Sequence, residues 1–147
     1  MKETLAKKGF VTIATGDTRY YKLAVNLLRS YRLHTGNPYC FAILCDRNNE
    51  YTALFDDVII LDNPTSSYID KLRLFEYMPY EETIFIDADS LAYGDLNQWF
   101  QFFSENDNSR DFSCFGFAIR DLSSNKGWFR VSGMRGILRF YCIYSLF

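Results

Sequence analysis

The feature that most constrains the fold is a rhythm. Over the first hundred residues, short and almost wholly apolar runs alternate with longer amphipathic stretches. The runs at 10–14, 39–45, 57–61 and 83–86 are rich in β-branched and aromatic residues, and each ends at or close to a Gly or an Asp. Between them, segment 20–31 places Ala24, Leu27, Leu28 and Tyr31 at i, i+3, i+4 and i+7, the stripe of a helix packed on a sheet. Segment 47–54 reads as a short polar helical turn. Segment 67–77 reads as a helix with Ile69, Leu72, Leu74 and Phe75 inward, and 95–103 as another with Leu96, Trp99, Phe100 and Phe103 on one face. Strands alternating with helices predict an α/β fold with a mostly parallel sheet and right-handed crossovers. Continuously apolar strands agree, because a parallel sheet is buried on both faces.

In such sheets ligands sit in the crevice at the carboxyl ends of the strands. The residues to watch are therefore Thr15, Gly16 and Asp17, then Asp46, then Asp62, and finally Asp87 with Asp89. The turn at 15–18 also carries residue types that cap a helix. Composition narrows the ligand classes. A net charge of −2 and a pI near 5.4 argue against a surface built for nucleic-acid phosphates. A length of 147 residues and 48% hydrophobic content suit one domain with a real core.

Cys40, Cys45, Cys114 and Cys142 form no C-x-x-C pair, and with His34 as the single histidine no zinc spacing can be assembled. Cys40 and Cys45 on one strand would face opposite ways. Isolated thiols in a reducing cytoplasm are the expectation. The first eight residues lack the apolar stretch of a signal peptide, and no run approaches a membrane span. His34 follows the first helix, at the amino-terminal ends of the strands, and reads as a surface residue. Segment 104–111 is polar and reads as a loop, 113–117 as a further strand, and Cys114 has no partner His that would make it a nucleophile.

Asp87-Ala88-Asp89 is weak evidence taken bare, since 12 Asp in this chain give about one such triplet by chance. Its place after a buried strand carries the weight. In extended chain the two carboxylates point the same way, roughly 7 Å apart at the Cα atoms. Like charges in a crevice are costly unless a cation joins them. A hard divalent ion, Mn²⁺ or Mg²⁺, that also takes phosphate oxygens suits the pair. The alternative is a solvated turn at a strand end.

Segment 9–15, followed by Asp17 and Tyr20, resembles the first strand and nucleotide loop of glycogenin-like glycosyltransferases, and segment 85–91 resembles their Asp-x-Asp metal motif. Lys71 stands where such enzymes carry a basic residue on the helix before that motif. The resemblance is to glycosyltransferase family 8 and its GT-A fold relatives, and it covers about residues 9–103. It implies a metal-dependent transferase that moves a sugar from a UDP-sugar to an acceptor hydroxyl with retention of configuration. Ala14, Thr15, Asp17, Tyr20, Lys71, Asp87 and Ala88 would contact the nucleotide-sugar, and Asp87 and Asp89 the metal. One extra residue, Arg19, separates Asp17 from the tyrosine, so Tyr21 is an alternative to Tyr20 as the stacking ring. Packing roles for both tyrosines, and a solvated charge for Lys71, stay open.

The family's later Asn-Gly-Gly-type strand and metal-ligating His have no counterpart in this sequence. Residues 1–134 read as a donor-binding domain. Residues 135–147 read as an atypical apolar tail, from a truncated or frame-shifted end, or else as a final buried strand or helix. Loss of a covering half would expose Phe115, Phe117 and Trp128 and favour a homo-oligomer. It would also leave turnover crippled. Two other classes are compatible with the residues. One is a non-catalytic donor-binding fragment; the other is a sugar nucleotidyltransferase, although 14–17 lacks the Gly-rich basic loop that enzyme needs.

Overall fold

The computed structural model describes residues 8–67, 69–101, 117–120, 127–135 and 138–146, with side chains through residue 101 except those of 72 and 75. The described residues form an α/β fold. Strands β1 (Lys8–Ala14), β2 (Cys40–Cys45), β3 (Asp57–Ile60) and β4 (Glu82–Ile86) make a parallel sheet in which β1 pairs with β2 and β4, and β2 with β3. Beyond β4 lie β5 (Phe117–Arg120), β6 (Gly127–Arg135) and β7 (Leu138–Leu146), giving the order β3-β2-β1-β4-β7-β6-β5.

Segment 138–146 thus has a place inside the sheet. It runs parallel to β4, with Ile84 opposite Tyr141, and antiparallel to β6, with Arg135 opposite Leu138. A strand is one of the alternatives raised for this stretch; its side chains, and so its burial, lie outside the described residues. The loop expected at 104–111, Cys114, Phe115 and all but the last residue of the strand expected at 113–117 lie outside the described residues, as do the side chains of Phe117 and Trp128.

Both faces of β1, β2 and β4 are covered, whereas β3, at the edge of the sheet, leaves Val58 and Ile60 exposed and so departs from the expected burial on both faces. Helix α1 (Thr18–His34) buries Tyr21, Ala24, Leu27, Leu28 and Tyr31 against one face, where they meet Phe10, Phe41, Ile43, Cys45, Ile84 and Ile86. Phe10 stands at the centre of this layer, with the rings of Tyr31, Phe41 and Phe100 at 4.9, 5.6 and 5.1 Å. The other face carries Val11, Ile13, Ala42, Leu44 and Phe85, covered by Leu61, Leu74 and Tyr80. Cys45 and Cys40 lie on opposite faces, as alternation along one strand requires. Gly9 has no room for a side chain, because the Tyr80 ring lies against its Cα.

Two expected elements differ. The helix expected at 67–77 is a short α2 (Ile69–Leu72) followed by a 3-10 turn at Leu74–Glu76. Its inward residue is Asp70, 0% exposed, while Ile69 is 46% exposed. The reason is polar: Asp70 turns in to accept hydrogen bonds from the loop before it. The turn expected at 47–54 is a 3-10 helix only at Thr52–Leu54. Of the helix expected at 95–103, a helical turn at 98–101 is described.

Candidate functional site

The sheet order places a switch point beside β1. The chain steps outward from β1 to β2 and β3, then returns across β1 to β4. The carboxyl ends of β1 and β4 therefore adjoin where the direction of winding reverses, the place where open α/β sheets hold ligands. A cavity of about 520 Å³ lies there, within the size range of small-molecule sites.

The β1 side of the cavity is formed by Ile13, Thr15, Arg19, Tyr20 and Leu23. Gly16, at φ +76°, turns the chain from β1 into α1. Its peptide is gripped on both sides: its N–H donates to Asp46 at 3.2 Å, and its carbonyl accepts from Arg47 at 2.7 Å. Asp46 also accepts a hydrogen bond from the Tyr21 hydroxyl and pairs with Arg47 at 2.9 Å. Burial, then the bond to the Asp46 carboxylate, pushes the Tyr21 phenol well above its ordinary pKa. Asp17 caps α1, its carboxylate accepting from the Arg19 N–H at 2.7 Å.

Tyr20 and Tyr21 consequently part company. Tyr21 is buried in the core, whereas Tyr20 is 43% exposed and lines the cavity, with the Arg19 guanidinium 5.1 Å from its ring centre. Consecutive residues on a helix diverge by about 100°, so the Tyr20 side chain reaches the cavity while that of Tyr21 points into the core.

The β4 side carries the carboxylates. Asp87, Ala88 and Asp89 line the cavity together with Lys71. The extended spacing expected for Asp87 and Asp89 is not what forms. The Ser90 N–H donates to the Asp87 carbonyl at 3.0 Å, so 87–90 is a tight turn. Asp87 is half-buried and its Oδ2 sits 2.6 Å from Lys71 Nζ, while its Oδ1 accepts from the Ala88 N–H at 3.0 Å. Asp89 is exposed. Ser66 and Ser67 complete the wall.

Of the residues singled out in the sequence, Thr15, Tyr20, Lys71, Asp87, Ala88 and Asp89 come together around the cavity. Ala14 and Asp17 do not line it. Ala14 packs beneath α1, where strand alternation directs it, and the Asp17 carboxylate is engaged as a helix cap. Asp62 is exposed at the base of the 62–67 loop. His34 is the exposed last residue of α1. Sequence reasoning missed Arg19, Leu23, Ser66 and Ser67. Leu23 follows Tyr20 by three on α1, and the serines follow Asn63-Pro64 after β3, so spacing held a signal for these three.

Two carboxylates with hard oxygen donors suit Mg²⁺ or Mn²⁺, which takes one or two protein carboxylates and fills its shell from phosphate and water. Among the described residues, no group of three or more His, Cys, Asp or Glu side chains is gathered for a metal. No described helix is long and apolar enough to cross a membrane. No protein-family model and no curated protein matches this chain.

Proposed function

We propose that this cavity binds a nucleoside diphosphate sugar with a divalent cation, and that the protein is a glycosyltransferase of the GT-A type. The observation that supports it is a convergence at one switch point. An exposed aromatic face (Tyr20), two cations (Arg19 and Lys71) and two adjacent carboxylates (Asp87 and Asp89) line the same cavity. A nucleobase stacks on an aromatic face, a diphosphate requires cations, and paired carboxylates suit a metal that bridges to phosphate oxygens.

In this reading Tyr20 carries the base and Thr15 lies beside the nucleoside. Arg19 and Lys71 offset the diphosphate charge, with Lys71 shared between Asp87 and the ligand. The hydroxyls of Ser66 and Ser67 offer donors to phosphate or sugar. Asp87 and Asp89 would hold Mn²⁺ or Mg²⁺, which when bound stabilises the negative charge on a departing diphosphate. The acceptor is an alcohol, whose oxygen bonds to the anomeric carbon as that carbon's bond to the diphosphate breaks, the hydroxyl proton passing to the departing diphosphate or to water.

Calorimetric titration of UDP with and without Mn²⁺ tests the site. UDP binding strengthened by Mn²⁺, weakened by Asp89→Asn, and at least about tenfold tighter than ADP or GDP is the expected result, a difference of about 1.4 kcal/mol. Equal binding with and without metal would remove the metal from the reading. Release of UDP from UDP-glucose or UDP-galactose then separates a transferase from a donor-binding module. Binding without release over hours identifies the latter.

A further inference from the structure

Among the described residues Asp70 is the only carboxylate that is fully buried, and it is not among the residues that line the cavity. Its Oδ1 accepts from the Thr65 N–H at 3.0 Å and from the Thr65 hydroxyl at 2.8 Å, and its Oδ2 accepts from the Ser66 N–H at 2.9 Å. The loop it holds is strained. Asn63 and Ser66 sit at φ 51° and 53°, in the left-handed region that non-glycine residues rarely adopt. Arg73 and Tyr77 hold the base of the same loop: Arg73 donates to the Asp62 carbonyl at 2.7 Å, and the Asp62 N–H donates to the Tyr77 hydroxyl at 3.3 Å. Asp70 on α2, with Arg73 and Tyr77 on either side of the 3-10 turn, therefore hold the loop at both ends. Ser66 and Ser67, at the loop's tip, form a cavity wall, and Ser66 packs against Gly16 on the opposite strand end.

We propose that Asp70 is a positioning residue for the ligand cavity: its buried carboxylate fixes Thr65 and Ser66 so that the Ser66–Ser67 wall is preformed before ligand arrives. The inference rests on the proposed nucleotide-sugar site for its functional consequence, while the clamp itself stands on the geometry of the loop. A strained loop persists only where its surroundings over-determine it. Three hydrogen bonds onto one buried carboxylate are the determinant at the tip. Without them the serines leave the wall, and the ligand must order the loop as it binds, which lowers affinity.

The test compares Asp70→Asn, Thr65→Val and Tyr80→Phe with the wild type in UDP titrations with Mn²⁺, beside thermal unfolding and amide exchange. Asn at 70 keeps the shape but turns an NH₂ toward N–H donors. Thr65→Val removes one of the three bonds. Tyr80→Phe is the stability control, since it removes a 2.7 Å bond to Asp57 far from the cavity. Asp70→Asn should weaken UDP about tenfold or more, and Thr65→Val about threefold, the worth of one hydrogen bond. Tyr80→Phe should lower the melting temperature yet leave UDP affinity unchanged. Unchanged affinity in both loop variants, or an equal loss in Tyr80→Phe, overturns the proposal. If Asp70→Asn does not fold, Thr65→Val decides. A wild type that binds no UDP defeats the proposed function, and the clamp is then judged on exchange alone. Faster exchange at Thr65 and Ser66 in either loop variant, with Ile84 and Phe85 unchanged, supports it; equal exchange overturns it.

Discussion

Gly16→Ala is the most exacting perturbation of the cavity's β1 side, because three features of the structure act on one methyl group. Gly16 sits at φ +76°, where an L residue costs about 1–2 kcal/mol. A less flexible unfolded chain returns about 0.4–1 kcal/mol to the alanine variant. The added Cβ would lie 3.2 Å from Ser66 Cβ and 3.3 Å from its Oγ, so Ser66 must give by a few tenths of an ångström. It is poorly placed to do so, being held by Asp70. Rotating residue 16 out of the left-handed region would instead break the bonds to Asp46 and Arg47, each worth about 0.5–1.5 kcal/mol. The alanine therefore remains in place and carries the strain; the backbone terms net to about 0–1.6 kcal/mol and the Ser66 contact adds to them, so we expect a loss of about 1 kcal/mol. In urea that is a midpoint shift of about 0.5 M for an m-value near 2 kcal/mol/M. A Gly16→Ala, Ser66→Gly double-mutant cycle apportions the loss: removing the Ser66 side chain recovers the contact part and leaves the backbone part. UDP affinity should fall along with stability. Gly16→Ala as stable as the wild type would refute both the left-handed assignment and the two-sided grip on the peptide.

Two further outcomes follow from the buried groups. Burial alone would raise the Asp70 pKa, but hydrogen bonds from Thr65, Ser66 and Ser67 outweigh it and hold the carboxyl below its ordinary value. The ionised form is thus favoured in the folded chain, so the stability it contributes is present above the unfolded value of about 3.9 and is lost as pH falls through the folded one. Urea midpoints measured from pH 6 to pH 3 should fall at the acid end, and the fall should be smaller in Asp70→Asn; identical slopes would remove Asp70 as a source. Burial pushes the Cys45 thiol up to about 11 and leaves it 0% exposed, so alkylation at pH 8 should spare it in the folded protein and reach it only in urea. Labelling of native Cys45 as fast as in urea would contradict its burial.

The parallel sheet was legible because its strands announce themselves. Segments 10–14, 39–45, 57–61 and 83–86 differ from β1 to β4 by no more than two residues at either end, since uninterrupted apolar runs ending in Gly or Asp leave little freedom in where a strand stops. Helix α1 was legible for the matching reason: Asp17 caps it, and its stripe of Ala24, Leu27, Leu28 and Tyr31 is buried throughout. Segment 67–77 was misread at Ile69 because periodicity counts apolar residues alone. The position that turns inward holds a carboxylate, and its energetic reason lies in donors on residues 65 and 66 rather than in its own segment. Arg19 escaped for a similar reason: read only as one residue too many before the tyrosine, it places its guanidinium 5.1 Å from the ring centre of Tyr20.

The aspartates that follow the strands, together with Asp70 on α2, divide according to what they bind. Asp17 is engaged by the Arg19 N–H, Asp46 by the Gly16 N–H and the Tyr21 hydroxyl, and Asp70 by the Thr65 and Ser66 amides. Each of these carboxylates is neutralised in effect by donors that belong to the scaffold, and each fixes a piece of backbone at the rim. Asp87 and Asp89 are the two that reach the cavity itself. Asp87 is balanced there by Lys71 at 2.6 Å, a cation whose side chain keeps 29% of its exposure. An ion pair of that kind, partly open to solvent, is held more loosely than a buried one and can exchange partners at modest cost. A ligand that brings both a divalent cation for the carboxylates and phosphate oxygens for Lys71 and Arg19 exchanges one balanced arrangement for another, leaving no charge uncompensated. The metal-chelated diphosphate proposed above is compatible in charge with the Lys71–Asp87 pair and the Arg19 and Asp89 side chains that line the cavity.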